Sequence, residues 1–124
     1  MTRYIQDKVR EDGITNEIIV DAYGPEEQAM GWYYYLDEKL EFPFTAVCNA
    51  KRAISPLHVQ DKVDVIGMAA EDECWKEMFA LIRWEKDDLA VPLSQLTPIN
   101  RSASETKEAV GDWHYWVDMG YQVE

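Results

Sequence analysis

Cysteine is nearly missing from this 124-residue chain, and the two present, Cys48 and Cys74, are too few for a disulfide scaffold. They read as buried or partly buried thiols in a reducing compartment. No apolar run approaches the roughly 20 residues of a membrane span. The start, Met1-Thr2-Arg3-Tyr4-Ile5-Gln6-Asp7, lacks the apolar stretch of a signal peptide, so a cytoplasmic protein is expected. Glycine is scarce: six residues, scattered, form no phosphate-binding loop. Positive charge is the largest deficit. Twelve Lys and Arg stand against 24 Asp and Glu, a net charge of −12 and a pI near 4.5. Such a chain repels polyanions, which disfavours nucleic acid and anionic membranes as partners and leaves cations, basic proteins or plain solubility as uses of the surplus.

Large apolar side chains are plentiful. Apolar residues make up 47% of the chain, with five Trp and seven Tyr, enough for one core and a single domain over residues 1–124. Residues 1–13 are polar and end in the turn signal Asp12-Gly13. From Thr15 to Tyr23 the β-branched residues favour a strand, while Thr15 and Glu17 favour a helix start. Gly24-Pro25-Glu26-Glu27 opens a helix more clearly, because Pro suits the first helical position and carboxylates suit the positive dipole end. A stripe of Ala29, Trp32, Tyr33, Leu36 and Leu40 carries that helix toward Pro43, which stops it. The helical segment as a whole is placed at residues 16–41.

The period then changes. Phe42 to Cys48 looks extended, Asn49 to Pro56 looks like a loop, and Lys62 to Met68 alternates with Val63 and Val65 inward. Met78 to Trp84 is the strongest strand, joined through the polar turn Glu85 to Asp88 to a strand ending at Pro92. Short strands without intervening helices predict antiparallel pairing over residues 42–96. A second helix is expected over residues 102–120, opened by a Ser102-x-x-Glu105 capping box and buried through Ala109, Val110, Trp113, Trp116 and Val117. The fold class is α+β: a small antiparallel β-barrel or curved sheet bracketed by helices. Four aromatic or aliphatic positions in a row after Trp32 cannot all face one core, so Tyr34 and Tyr35 are expected to be partly exposed.

Catalytic signals are weak. No serine lies in a Gly-x-Ser-x-Gly elbow, and no cysteine has a catalytic context, so no enzyme is expected. Cys48, His58, Cys74 and His114 are zinc-ligand types, but no pair has the close spacing of structural zinc motifs. The carboxylates suit calcium, which takes six to eight oxygens in irregular cages. Asp7 to Gly13 is not an EF-hand loop, because Val9 and Glu11 stand where short oxygen ligands belong and Gly13 comes one position late. Acidic clusters occur at Glu26-Glu27, at Asp37-Glu38 with Glu41, at Glu71-Asp72-Glu73 and at Asp87-Asp88. Asp37 and Glu41 would share a face at the negative end of the first long helix, where a cation would relieve an unfavourable charge. A solvated face screened by Lys39 and salt explains the same residues.

Several strings carry a family resemblance: Glu17-Ile18-Ile19-Val20-Asp21-Ala22-Tyr23, Ala29-Met30-Gly31-Trp32-Tyr33-Tyr34-Tyr35-Leu36, Phe42-Pro43-Phe44-Thr45-Ala46, Val91-Pro92-Leu93-Ser94-Gln95-Leu96 and Asp112-Trp113-His114-Tyr115-Trp116. Together they resemble the small non-EF-hand calcium-binding proteins typified by the cyanobacterial calcium-binding protein associated with heterocyst differentiation. The resemblance covers roughly residues 16–121. It implies a protein that holds calcium ions (Ca2+) on surface carboxylates and acts as a buffer or signal modulator, without catalysis. Phe42 to Leu96 also looks like an SH3-like barrel, with a short helical turn at Ser94-Gln95-Leu96. Asp37 is the first candidate ligand, with Glu38 and Glu41 beside it and Asp21, Glu26 and Glu27 as secondary candidates. The competing reading is an SH3-like interaction module whose acidic surface takes a basic protein partner.

Overall fold

The structure, a computed structural model, describes residues 7–20 and 22–119. Helix α1 (Lys8–Gly13) is capped by Asp7, whose side chain accepts from the Arg10 backbone N–H at 3.0 Å. It runs into a π-helical turn, Ile14–Ile18, which resolves the ambiguous stretch after Thr15 as helical up to Ile18. Helix α2 (Pro25–Lys39) starts on Pro25 with Glu26 and Glu27 in its first turn. The expected helical segment is therefore two pieces, interrupted after Ile18. Leu40 is already extended, with ψ 128°, so α2 ends before Phe42, the residue that Pro43 bars from helical geometry, and the chain turns into the sheet.

Strands β1 (Phe44–Cys48), β2 (Lys62–Met68), β3 (Phe79–Trp84), β4 (Asp87–Pro92) and β5 (Leu96–Pro98) form one antiparallel sheet in the order β4-β3-β2-β1-β5. The sheet is open, with β4 and β5 as its edges. Of the two expected forms, the closed barrel does not form, because the short β5 pairs with β1 and leaves β4 unjoined. Val63 and Val65 point inward and Lys62 and Asp64 outward, as their alternation predicts. The β3–β4 turn is tighter than the sequence suggests: Trp84 pairs with Asp87, leaving Glu85 and Lys86 as the loop, with Glu85 at φ 55°. Pro92 ends an edge strand, where its missing N–H costs little. A 3-10 turn at Leu93–Gln95 then carries the chain across to β5.

Helix α3 (Ser104–Asp118) begins later than the capping box requires. Ala103 is the N-cap and makes no side-chain cap bond, so Glu105 sits one position too early to reach back, and the Ser102 hydroxyl is buried without a hydrogen-bond partner. Ala109, Val110, Trp113 and Trp116 are buried as expected, whereas Val117 is 36% exposed. The expected stop at Gly120 lies outside the described residues.

Trp32 is the centre of the packing. It meets Trp113 edge-on at 5.0 Å between ring centroids, Trp116 at 5.7 Å and Tyr35 at 6.2 Å, so the aromatic stripes of α2 and α3 interlock. Each such pair contributes about 0.5–1.5 kcal/mol beyond its buried area. One apolar cluster joins these rings to Ile14, Val65, Ile82 and Val91, and both cysteines are buried free thiols within it. Gly31 lets α2 seat closely on the π turn: a Cβ there would lie 2.4 Å from the Ile18 carbonyl oxygen.

Candidate metal centre

The C-terminal half of α2 lies against the connection between β2 and β3. Helical periodicity puts Asp37 one turn beyond Tyr33 and Tyr34. The Tyr33 hydroxyl donates to the Ala69 carbonyl at 2.8 Å, and the Tyr34 hydroxyl donates to the Glu71 carboxylate. Glu71 opens the exposed 3-10 turn Glu71–Glu73. Two neighbouring tyrosines thus tie an acidic turn of the sheet to the acidic end of a helix. Burial raises the Tyr33 phenol above its usual range, and the carboxylates of Asp37 and Glu71 both add to the effect. Asp37 and Glu71 therefore act on one ring from two elements. The Tyr34 phenol, 56% exposed, is raised chiefly by its hydrogen bond to Glu71.

The other expected ligands are dispersed. Glu38 lines a separate groove of about 420 Å³ with Glu17, Gly31, Tyr34, Tyr35 and Lys39. Glu41 has left the helix, which ends at Lys39, so the expected pairing of Asp37 and Glu41 on one helical face does not form. Its backbone N–H donates instead to Thr106 of α3 at 2.9 Å. Glu26 and Glu27 are exposed in the first turn of α2, roughly 15 Å from Asp37 at 1.5 Å per residue. One ion cannot bridge that distance. Asp21 lies outside the described residues. Among the described residues no three His, Cys, Asp or Glu side chains gather closely enough to hold an ion unaided.

A second polar assembly escaped the sequence reading. Asp112, 9% exposed on the buried side of α3, accepts from Arg10 at 3.0 Å and from the Tyr35 hydroxyl at 2.8 Å. Burial raises its carboxyl above the usual range, while Tyr35 and Arg10 oppose the rise. The Tyr115 hydroxyl adds a bond to Glu11 at 2.6 Å and accepts from the Asp7 backbone N–H at 2.9 Å. α1 buries no residue of its own, so these polar bonds fasten it to α3. The sequence signal was available: Ala109, Asp112, Trp113 and Trp116 share a helical face, and an aspartate among core aromatics requires a partner.

The zinc-type side chains lie in separate surroundings. The Cys48 thiol faces the Ala50 carbonyl, His58 is exposed beside Asp61, and His114 lies 3.4 Å from the Leu93 carbonyl. Cys74, near Tyr33, is engaged with Phe79 and held as a thiol by burial. The donors accessible at the α2 end are therefore oxygens: the Asp37 and Glu71 carboxylates, backbone carbonyls and water. That set fits a hard cation such as calcium better than zinc or copper.

An open antiparallel sheet backed by two aromatic helices, with Tyr34 of α2 bonded to Glu71 of an acidic turn, defines an acidic α+β protein with carboxylates exposed on its surface. Comparison with known proteins makes the class specific. The family model described as calcium binding, of the CcbP type, matches residues 12–117, and the chain belongs to that family. It is 42% identical to Anabaena CcbP, whose crystal structure superposes with a TM-score of 0.84 over 98% of both chains. It is 41% identical to a calcium-binding protein in the calcium-binding form, again with a TM-score of 0.84 over 98% of each chain. No curated protein sequence matches. The family is one of calcium-binding proteins and not of enzymes. Among the described residues no helix is long and apolar enough to cross a membrane.

Proposed function

We propose that this protein binds calcium at the C-terminal end of α2 with Asp37 as the principal ligand, and that it buffers or relays calcium in the cytoplasm without catalysis of its own. The observation that supports this site is the tie between α2 and the acidic turn, in which Tyr34, one helical turn before Asp37, is bonded to Glu71 and Tyr33 to Ala69. Glu38 and Glu41 raise the negative potential around the ion, and water completes its coordination. Two carboxylates and no preformed cage correspond to modest affinity, because affinity grows with ligand charge and rigidity. Glu26 and Glu27, exposed at the start of α2, are secondary ligand candidates, as is Asp21 from the sequence alone. A basic protein partner would be attracted by the same surplus charge, and the calcium-binding family favours the ion over an SH3-like peptide-binding role.

Calorimetric titration of the full chain with calcium tests the site. Saturable binding that weakens at least tenfold in Asp37→Asn, and much less in Glu26→Gln, is the expected result. Equal affinity in Asp37→Asn and the parent removes the assignment.

A further inference from the structure

Arg10 of α1 reaches across to α3, and the surface it meets is shaped for its side chain. Its Nη1 donates to one Asp112 oxygen at 3.0 Å, and the Tyr35 hydroxyl donates to the other at 2.8 Å. Beneath the guanidinium α3 carries a glycine. A Cβ at Gly111 would lie 2.8 Å from Nη1, 3.5 Å from Nη2 and 3.6 Å from Cζ, so the planar group fills the gap left by the missing side chain. The adjoining cavity, about 220 Å³, is lined by Asp7, Glu17, Glu108 and Asp112, with Arg10 as the one cation among the described residues. A notch with a carboxylate at its rim suits a planar, forked guanidinium better than the point charge of an ammonium. Arg10 is loosely kept: its side chain is 29% exposed and α1 buries no residue, so its departure costs polar bonds and no apolar burial. Asp112 cannot be left bare, because a carboxylate 9% exposed needs a cation in exchange.

We propose that Gly111, Asp112 and Tyr35 form a guanidinium-binding socket, plugged here by the chain's own Arg10, and that an arginine side chain of a basic protein partner displaces Arg10 and takes its place. The surplus negative charge of the chain draws a basic segment toward the carboxylates of the cavity. Arg10 is an intramolecular competitor, so the incoming arginine binds an opened socket and frees α1 from its bond to Asp112. The socket shares no ligand candidate with the calcium site.

Titration of the full chain with N-acetyl-arginine amide, followed by amide NMR shifts, tests the socket in the parent, in Arg10→Ala and in Arg10→Ala combined with Gly111→Ala. Both changes keep the fold: α1 buries nothing, and the atom that an alanine at 111 would press is the tip of a flexible side chain. Arg10→Ala empties the socket and should bind the amide about tenfold more tightly than the parent, since a site filled most of the time binds in proportion to its vacant fraction. The largest shifts should fall at Gly111 and Asp112. Adding Gly111→Ala should abolish that binding, and N-acetyl-lysine amide should bind more weakly than the arginine compound. In the parent, saturating arginine amide should raise amide hydrogen exchange across residues 8–13. Equal affinity in the parent and Arg10→Ala, no binding to Arg10→Ala, or no loss on adding Gly111→Ala overturns the socket and leaves the amide to general attraction by the acidic surface. Unchanged protection of residues 8–13 at saturation overturns the displacement of Arg10.

Discussion

Gly31 offers a stringent test of how α2 is seated. A Cβ at this position would lie 2.4 Å from the Ile18 carbonyl oxygen. Ordinary carbon–oxygen contacts are about 3.3–3.6 Å, so Gly31→Ala falls short by roughly 1 Å. The obstructing atom belongs to the backbone of the π turn and cannot rotate away as a side-chain tip would. Alanine improves helix propensity by about 1 kcal/mol. Overpacking costs about 1–3 kcal/mol, and the upper end applies against a fixed backbone atom, so the balance is a net loss of about 2 kcal/mol. For a chain of this length that lowers Tm by about 8 °C. Gly13 is the internal contrast: it is helical at φ −61°, and a methyl group added there would meet nothing within 4 Å, so Gly13→Ala should stabilise by about 0.4–1 kcal/mol. Urea unfolding followed by tryptophan fluorescence measures both. A Gly31→Ala variant as stable as the parent would refute the close approach.

Asp112→Ala leaves the Arg10 guanidinium and the Tyr35 hydroxyl without their acceptor and should cost about 2–3 kcal/mol, because Arg10 still reaches water. Amide hydrogen exchange should rise first in α1, which is held by those bonds; unchanged protection there would contradict the fastening role. His114 is held below its ordinary pKa by burial, against the opposing influence of the Leu93 and Leu96 carbonyls and Asp118. The unfolded chain then takes up the proton first, so stability should fall as pH drops below about 6.5, by at most about 1.4 kcal/mol per pH unit for one proton, until the folded pKa is passed. His114→Gln should flatten that slope in denaturation curves at several pH values, and an unaltered slope would assign the pH dependence elsewhere.

Much of the fold was legible because periodicity and burial agree. The Trp32 and Leu36 stripe, the Val63–Val65 alternation and the Pro92 edge each follow from one local rule. The features that were not legible depend on distant partners. Whether five strands close into a barrel depends on β5, three residues long, and on where it pairs. The Ser102 capping box failed because α3 takes its N-cap one residue later than that motif demands. At the candidate site, Asp37 stood out through its place near a helix end and Glu71-Asp72-Glu73 as an acidic cluster, but the contact of Glu71 with Tyr34 of α2 spans 37 positions and was not legible. Glu41 was grouped with Asp37 by spacing alone, and the end of the helix at Lys39 separates them. Arg10 and Asp112, 102 positions apart, could be paired only by the fold.

The most direct test is a crystal structure of the protein grown with calcium. The account predicts an ion about 2.3–2.6 Å from a carboxylate oxygen of Asp37. An ion seated beside Glu26 and Glu27 or in the Asp112 assembly, with Asp37 left in solvent, would contradict it.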